Sequence, residues 1–259
     1  MARWRLLPCV ACALYGCASA TPMLSPVRAL RPGRVVLDYG MVWQAPTRTG
    51  LLNAALLPGA TPEDELRAAA SNALTPPGPA PYFAVRVGLP RPVPLARLEA
   101  ALTLVGRDAR ARVGWEYFKA GNWSLGVSGA LRGTVLPGTL PDVLPSVTVD
   151  RAWWAGADGT LWVGYNRAEV YDFWLGLRGG YALGGASLTV RSGQPMTYGW
   201  SLGRVELGAT LGSRIAFGHL GVAIELDLLV ARVSASGPGA PEPAGTVALI
   251  PGCALSTPF

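Results

Sequence analysis

Through most of this 259-residue chain, apolar residues recur at every second position, with Gly, Ser, Thr or a charged residue between them. In Trp123-Ser124-Leu125-Gly126-Val127-Ser128-Gly129-Ala130-Leu131-Arg132, residues Trp123, Leu125, Val127 and Leu131 share one face. Ser124, Gly126, Ser128 and Arg132 share the other. A period of two means strand, because successive side chains of a strand point to opposite sides. Here the apolar face is large and aromatic, and the opposing face mixes small residues with charges. That combination suits a strand with lipid on one side and a tight polar lumen on the other.

Composition narrows the choice. Half of the residues are apolar, mean hydropathy is +0.30, and 15% are charged, against roughly a quarter in an average soluble domain. Past residue 20 no apolar run reaches the ~20 residues of a membrane-spanning helix. High hydropathy without such a helix leaves either a large buried core or a barrel with an apolar exterior. The 33 glycines include Gly126, Gly129, Gly164, Gly176, Gly179, Gly180 and Gly208 inside strand patterns, where close approach or bending is required. The formal charge of +6 falls to +4 if Arg3 and Arg5 leave with a cleaved leader. The arginines are scattered singly through strands, so the basic balance reads as a charged interior, and nucleic acid is not an expected partner.

The N-terminus reads as an address. Arg3 and Arg5 precede a short apolar stretch, Leu6 to Gly16, which is the pattern of a secretion signal. Leu14-Tyr15-Gly16-Cys17 resembles a bacterial lipobox, which implies a leader over 1–16, lipidation of Cys17 and, with Ala18 following, sorting to the outer membrane. Ala18-Ser19-Ala20 offers an ordinary cut after Ala20 instead. Residues 17–33 then form a tether with Pro22, Pro26 and Pro32, and 34–259 the barrel domain. Three of the four cysteines lie in the leader, and only Cys253 lies well beyond it, so neither a disulfide framework nor a Cys/His metal spacing is expected.

Within 34–259 the dyad pattern yields about eleven strands. Leu37, Tyr39, Met41 and Trp43 oppose Asp38 and Gly40 in the first. A long excursion follows, with a helical insertion near 61–74: Thr61 as N-cap, Pro62 in the first turn, acids at Glu63 and Asp64, and a stripe of Leu66, Ala70, Ala73 and Leu74. That helix could plug the barrel or cap a rim; a position on the loop surface is the expected one. Strands follow around Phe83–Leu89, Leu98–Leu104, Val113–Tyr117 and Trp123–Arg132. Val147–Trp154 reads as one strand, turning through Gly156-Ala157-Asp158-Gly159 into a second at Leu161–Tyr165. The rest are Tyr171–Tyr181, a loop near 184–198, Val205–Leu211, Leu220–Val230 and a final segment from Thr246. Short strands joined by turns without βαβ alternation make the chain all-β, an antiparallel up-and-down barrel. Single-chain barrels favour an even number, so 10–12 strands are expected, with 8 possible.

Leader, dyad strands, aromatic strand ends (Trp43, Tyr82, Trp115, Tyr117, Trp123, Tyr171, Tyr181, Trp200) and terminal Phe259 together resemble bacterial outer-membrane β-barrel proteins as a class. The resemblance implies an outer-membrane location and, as partners, outer-membrane lipid and the barrel-assembly machinery. Pro251 and Pro258 interrupt the C-terminal strand signal that such proteins carry.

The inward face carries the candidate site. Arg86, Arg97, Glu99, Arg112, Glu116, Arg132, Asp172, Arg178, Arg204, Glu206, Glu225 and Asp227 fall on the side opposite the apolar rows. In a narrow lumen such charges must pair, since an unpaired buried charge is expensive, and a paired ladder blocks the passage. A wider barrel would leave a weakly selective path. No catalytic residue, metal ligand or cofactor is expected. The single histidine, His219, falls by phase on the side of Glu225, but no serine motif, phosphate loop or metal spacing accompanies it. The expected role is structural or that of a narrow pore for small solutes. A soluble lipid-anchored β-sandwich or barrel binding an apolar ligand is the alternative, and a lipid-modifying enzyme the third.

Overall fold

The computed structural model describes residues 29–46, 55–56, 60–74, 78–90, 97–135, 144, 146–168, 170–191 and 195–258. The leader, Cys17 and Phe259 lie outside them. Among the described residues ten strands form one closed antiparallel ring. They are β1 (Val35–Pro46), β2 (Gly78–Leu89), β3 (Arg97–Val105), β4 (Asp108–Ala120), β5 (Trp123–Thr134), β6 (Val147–Arg167), β7 (Tyr171–Val190), β8 (Met196–Phe217), β9 (Leu220–Ser236) and β10 (Ala244–Pro258). Each strand pairs with its neighbours in sequence, and β1 pairs with β10 to close the ring. The helix α1 (Pro62–Leu74) lies in the β1–β2 connection.

The count of ten follows from one correction. Gly156-Ala157-Asp158-Gly159 is not a turn but the middle of β6, where Gly159 stands opposite both Gly129 and Gly179. Turn-forming residue types sit mid-strand here because Asp158 supplies an acid to the lumen and Gly156 stands where a Cβ would come 2.3 Å from the Tyr181 carbonyl oxygen of the next strand. The expected loop at 184–198 is likewise shorter: β7 and β8 run to Val190 and from Met196.

The two ends of the ring differ. One end carries the start of β1, the end of β10 and the short turns at 121–122, 168–170 and 218–219. Gly121 and Gly218 take φ of +58° and +61° there, which two-residue hairpin turns demand and glycine supplies. The other end carries the long connections at 47–77 and 135–146. In outer-membrane barrels short turns face the periplasm and long loops the exterior; the two ends are called the turn end and the loop end below.

The outward rows are apolar. On β9, Leu220, Val222, Ile224, Leu226, Leu228 and Val230 are all exposed, with Ile224 at 60%. Ten residue steps at ~3.3 Å span ~33 Å, and a strand tilt of ~40° reduces this to a height of ~25 Å, the thickness of an apolar membrane band. Trp115, Tyr117, Trp123 and Phe217 are exposed near the turn end, and Trp43, Tyr181 and Trp153 toward the loop end, as aromatic girdles require. A soluble β-protein has the reverse polarity, so the barrel spans a membrane.

Above the apolar band the outward rows of β6 to β9 turn small and polar: Arg151, Ser187, Ser201, Arg232, Ser234 and Ser236. These four strands have 17 to 22 residues, against 9 to 13 in β1 to β5. The ring therefore has one tall wall, which rises beyond the lipid on the loop side.

Candidate functional site: a filled lumen

The inward faces place four layers in the lumen. The layer nearest the loop end is apolar. Trp154, Leu188, Trp200, Leu202 and Val233 from the tall wall surround α1, whose Ala68, Ala69 and Ala73 are fully buried and whose Leu74 is nearly so. The helix is thus not on the loop surface, as expected from the sequence, but inside the mouth of the barrel. Its apolar stripe is mostly alanine, short enough to fit between two tryptophans. Thr61 caps it: Thr61 N donates to Asp64 Oδ2 at 3.0 Å and Asp64 N donates to Thr61 Oγ1 at 3.2 Å, a reciprocal box that satisfies two amides. The Thr61 amide and the Thr61 hydroxyl, which donates to the same Asp64 Oδ2 at 2.7 Å, hold the half-buried Asp64 carboxyl below its ordinary range. Three further polar contacts pin the plug and its surroundings. Ser146 N donates to Glu65 at 2.9 Å, Arg107 donates to the carbonyl of Ala73 at 3.3 Å, and Trp200 Nε1 donates to the carbonyl of Pro238 at 3.0 Å.

Below the plug lies the first charged layer. Asp158, at the centre of β6, is hydrogen-bonded by Arg110 and lies 3.3 Å from Arg132 Nε and 3.5 Å from Arg178 Nη2. Glu206 is hydrogen-bonded by Arg132, and lies 3.5 Å from Arg178 and 3.0 Å from Arg204. Four strands, β4 to β7, and β8 thereby join through two carboxylates. The Arg132 guanidinium also stacks 5.2 Å from the Trp154 ring centroid, coupling this layer to the plug. Asp227 is buried beside it, opposite Thr210 on β8.

A band of aromatic rings follows. Trp162 and Trp174 lie inward over glycines of adjoining strands, Trp162 opposite Gly126 and Trp174 opposite Gly212. A Cβ at Gly126 would stand 1.9 Å from the Trp162 ring, and one at Gly212 would stand 2.0 Å from the Trp174 ring. Those glycines are required by the rings that cover them. Trp174 Nε1 donates to Glu225 Oε2 at 2.7 Å.

The second charged layer lies toward the turn end. Arg86 forks onto Asp38, with Nε–Oδ2 of 2.6 Å and Nη2–Oδ1 of 3.2 Å, a bidentate geometry that fixes both side chains. Glu99 takes Arg112 at 2.6 Å and lies 3.5 Å from Arg86 Nη1. Glu116 and Glu99 also accept the amides of Ala29 and Leu30, each at 3.2 Å, and Arg97 donates to the Ala29 carbonyl at 3.3 Å. The segment before β1 is thus folded back over the mouth as a strap. Asp172 is hydrogen-bonded by Asn166 and lies 3.4 Å from Arg214.

All twelve inward residues named from the sequence lie in these layers, eleven of them buried and Arg97 half-buried. Four partners were missed: Asp38, Arg110, Asp158 and Arg214. Asp38 shares the inward phase of Gly40, and that phase alone could have found it. Asp158 was hidden by the turn reading of 156–159, and Arg110 lies ahead of the span Val113–Tyr117 assigned to its strand from the sequence. Arg214 lies beyond the span assigned to β8 from the sequence. Among the described residues seven arginines and nine carboxylates are buried, and the half-buried Arg97 and Arg214 bring the signs level. An interior level in net charge favours neither cations nor anions as a whole. His219 is exposed in the β8–β9 turn, and Glu225 serves the Trp174 indole instead.

No family model matches the chain, and no curated protein matches it in sequence. Among solved structures it is similar to neisserial surface protein A, with TM-score 0.31 and 10% identity over 87% of this chain and 96% of that one. The outer membrane protease OmpT of Escherichia coli aligns with TM-score 0.46 and 9% identity over 88% and 97%. The toluene transporter TodX of Pseudomonas putida aligns with TM-score 0.33 and 10% identity over 94% and 95%. The chain's own architecture, a closed antiparallel ring with an apolar exterior and a charged, filled interior, is that of an up-and-down transmembrane β-barrel.

Proposed function

We propose that this chain is a bacterial outer-membrane barrel with a structural role, its lumen closed rather than conducting. The observation that carries this reading is the stack just described. An alanine helix held between Trp154 and Trp200 lies above a neutral lattice of arginines and carboxylates. A narrow-pore role would need a continuous polar path; each layer here interrupts it with packed side chains. The tall wall of β6 to β9 then serves to hold the plug and to present loops outside the lipid. The leader supports delivery across the inner membrane, and Leu14-Tyr15-Gly16-Cys17 supports a lipid anchor on Cys17.

The test is electrical. Full-length protein folded into planar lipid bilayers is expected to give no stepwise conductance in concentrated potassium chloride. Regular steps from the wild-type chain would overturn the closed-lumen reading and restore the narrow pore. Cell fractionation with an unheated-gel mobility shift checks the location, and the intact mass of the mature chain decides between acylated Cys17 and a start at Thr21.

A further inference from the structure

At the turn end the strap and the ring line a cavity of about 220 Å³. Its lining is unusual in charge. Arg31 and Arg34 come from the strap, Arg86 from β2, Arg97 from β3, Arg214 from β8 and His219 from the β8–β9 turn. The one carboxylate in the lining is Asp172.

Arg31 and Arg97 have contacts of their own within the protein, so the uncompensated part of this charge falls on Arg34, Arg86 and Arg214. Asp38 and Glu99 are engaged by Arg86, and Glu99 also by Arg112 and the Leu30 amide. Glu116 accepts the amide of Ala29. Nη1 of Arg86, 1% exposed, makes no hydrogen bond and reaches Glu99 only at 3.5 Å. Nε of Arg214 also makes none, and its contact to Asp172 is a loose 3.4 Å. Arg34 has no carboxylate partner among the described residues. Cations gathered on one small cavity repel one another unless an anion joins them.

We propose that this vestibule is a binding site for a small phosphate-class oxyanion on the periplasmic side. Guanidinium forks approach the cavity from the strap on one side and from three strands on the other. A tetrahedral anion offers oxygens in all those directions, whereas a planar carboxylate offers two in one plane. The cavity is smaller than a typical drug-sized pocket of ~300 Å³ or more, which suits a compact anion. Occupancy would tie the strap to the ring, because Arg34 and Arg214 belong to separate segments.

Isothermal titration of inorganic phosphate into the full chain, folded in detergent micelles at low ionic strength, tests this. Wild-type protein is expected to give saturable heat with phosphate and weaker heat with succinate. Arg34→Gln combined with Arg214→Gln should weaken phosphate binding roughly ten-fold or more, while Arg151→Gln at the opposite end leaves it unchanged. Arg34→Gln alone, at an exposed position, keeps the test valid if the double variant loses its heat-modifiable mobility. Absence of saturable heat, equal binding by the Arg34 variants, or a preference for succinate would each overturn the proposal.

Discussion

Neutralising Asp158 is the sharpest probe of the charged interior. Asp158→Asn keeps the shape of the side chain, so it opens no cavity. It removes the charge that Arg110, Arg132 and Arg178 share at a position with no solvent exposure. At 3.3–3.5 Å and an effective dielectric of ~20, each pair is attracted by roughly 5 kcal/mol before desolvation is counted. The neutral residue escapes the desolvation cost of its own charge. The guanidiniums do not, and Arg132, Arg178 and Arg204 are left to share Glu206. Breaking a buried pair from one side costs about 3–5 kcal/mol, so about 4 kcal/mol, or ~1,000-fold in the folding equilibrium, is expected. The assay is urea-dependent folding into lipid vesicles, followed by tryptophan fluorescence and by gel mobility without heating. Adding Arg110→Gln should recover part of the loss, with a coupling of about 1–3 kcal/mol. A loss below ~0.5 kcal/mol for Asp158→Asn, the level of an unremarkable surface change, would refute the view that this layer holds the barrel together.

Three other outcomes are expected. Ile224→Arg should cost about 2–4 kcal/mol in vesicles, because Ile224 lies mid-band on the lipid face; Ala223→Arg should be no better, since Ala223 is fully buried opposite Arg214; and Ser234→Arg, above the band, should be near neutral in the same folding assay. Gly212→Ala should cost about 1–3 kcal/mol and alter the near-ultraviolet circular dichroism, because the new methyl meets the Trp174 ring, while Gly129→Ala meets nothing within 4 Å and should change neither. The Asp64 carboxyl is depressed by its bonds to Thr61, so the cap it forms is present above the ordinary carboxylate range and is lost only as pH falls through the lower folded value; a carbon-13 titration of Asp64 should show a midpoint that returns upward in Thr61→Ala.

The membrane-barrel architecture was legible because strand period and face chemistry agree over long stretches such as Leu220–Val230. The inward ladder was legible for the same reason: once the lipid face is identified, phase alone assigns Arg86, Glu99, Arg178 and Glu206 to the lumen. What failed was punctuation. Gly156-Ala157-Asp158-Gly159 has the composition of a turn, yet Gly156 makes room for the neighbouring strand and Asp158 supplies lumen charge, and local propensity cannot tell these uses from a reversal. The place of α1 was illegible for a different reason. An alanine stripe is equally suited to a surface and to a tight cavity, and only the tryptophans more than eighty residues downstream decide between them.

The plug and the seam are linked through the chain. The helix belongs to the connection between β1 and β2, but it packs on the far wall, against residues as distant in sequence as Trp200 and Val233. Its neighbour β1 makes the closing pair with β10, where Pro251 has no N–H to offer and the paired register skips from Val42–Gly252 to Ala45–Leu249. Contacts of such wide separation form late. The pair that closes the ring is therefore also one that a proline interrupts, and the strand that makes it carries the chain into the helix inside the mouth. Order of assembly, rather than equilibrium strength alone, decides whether the barrel ends up stoppered or merely shut.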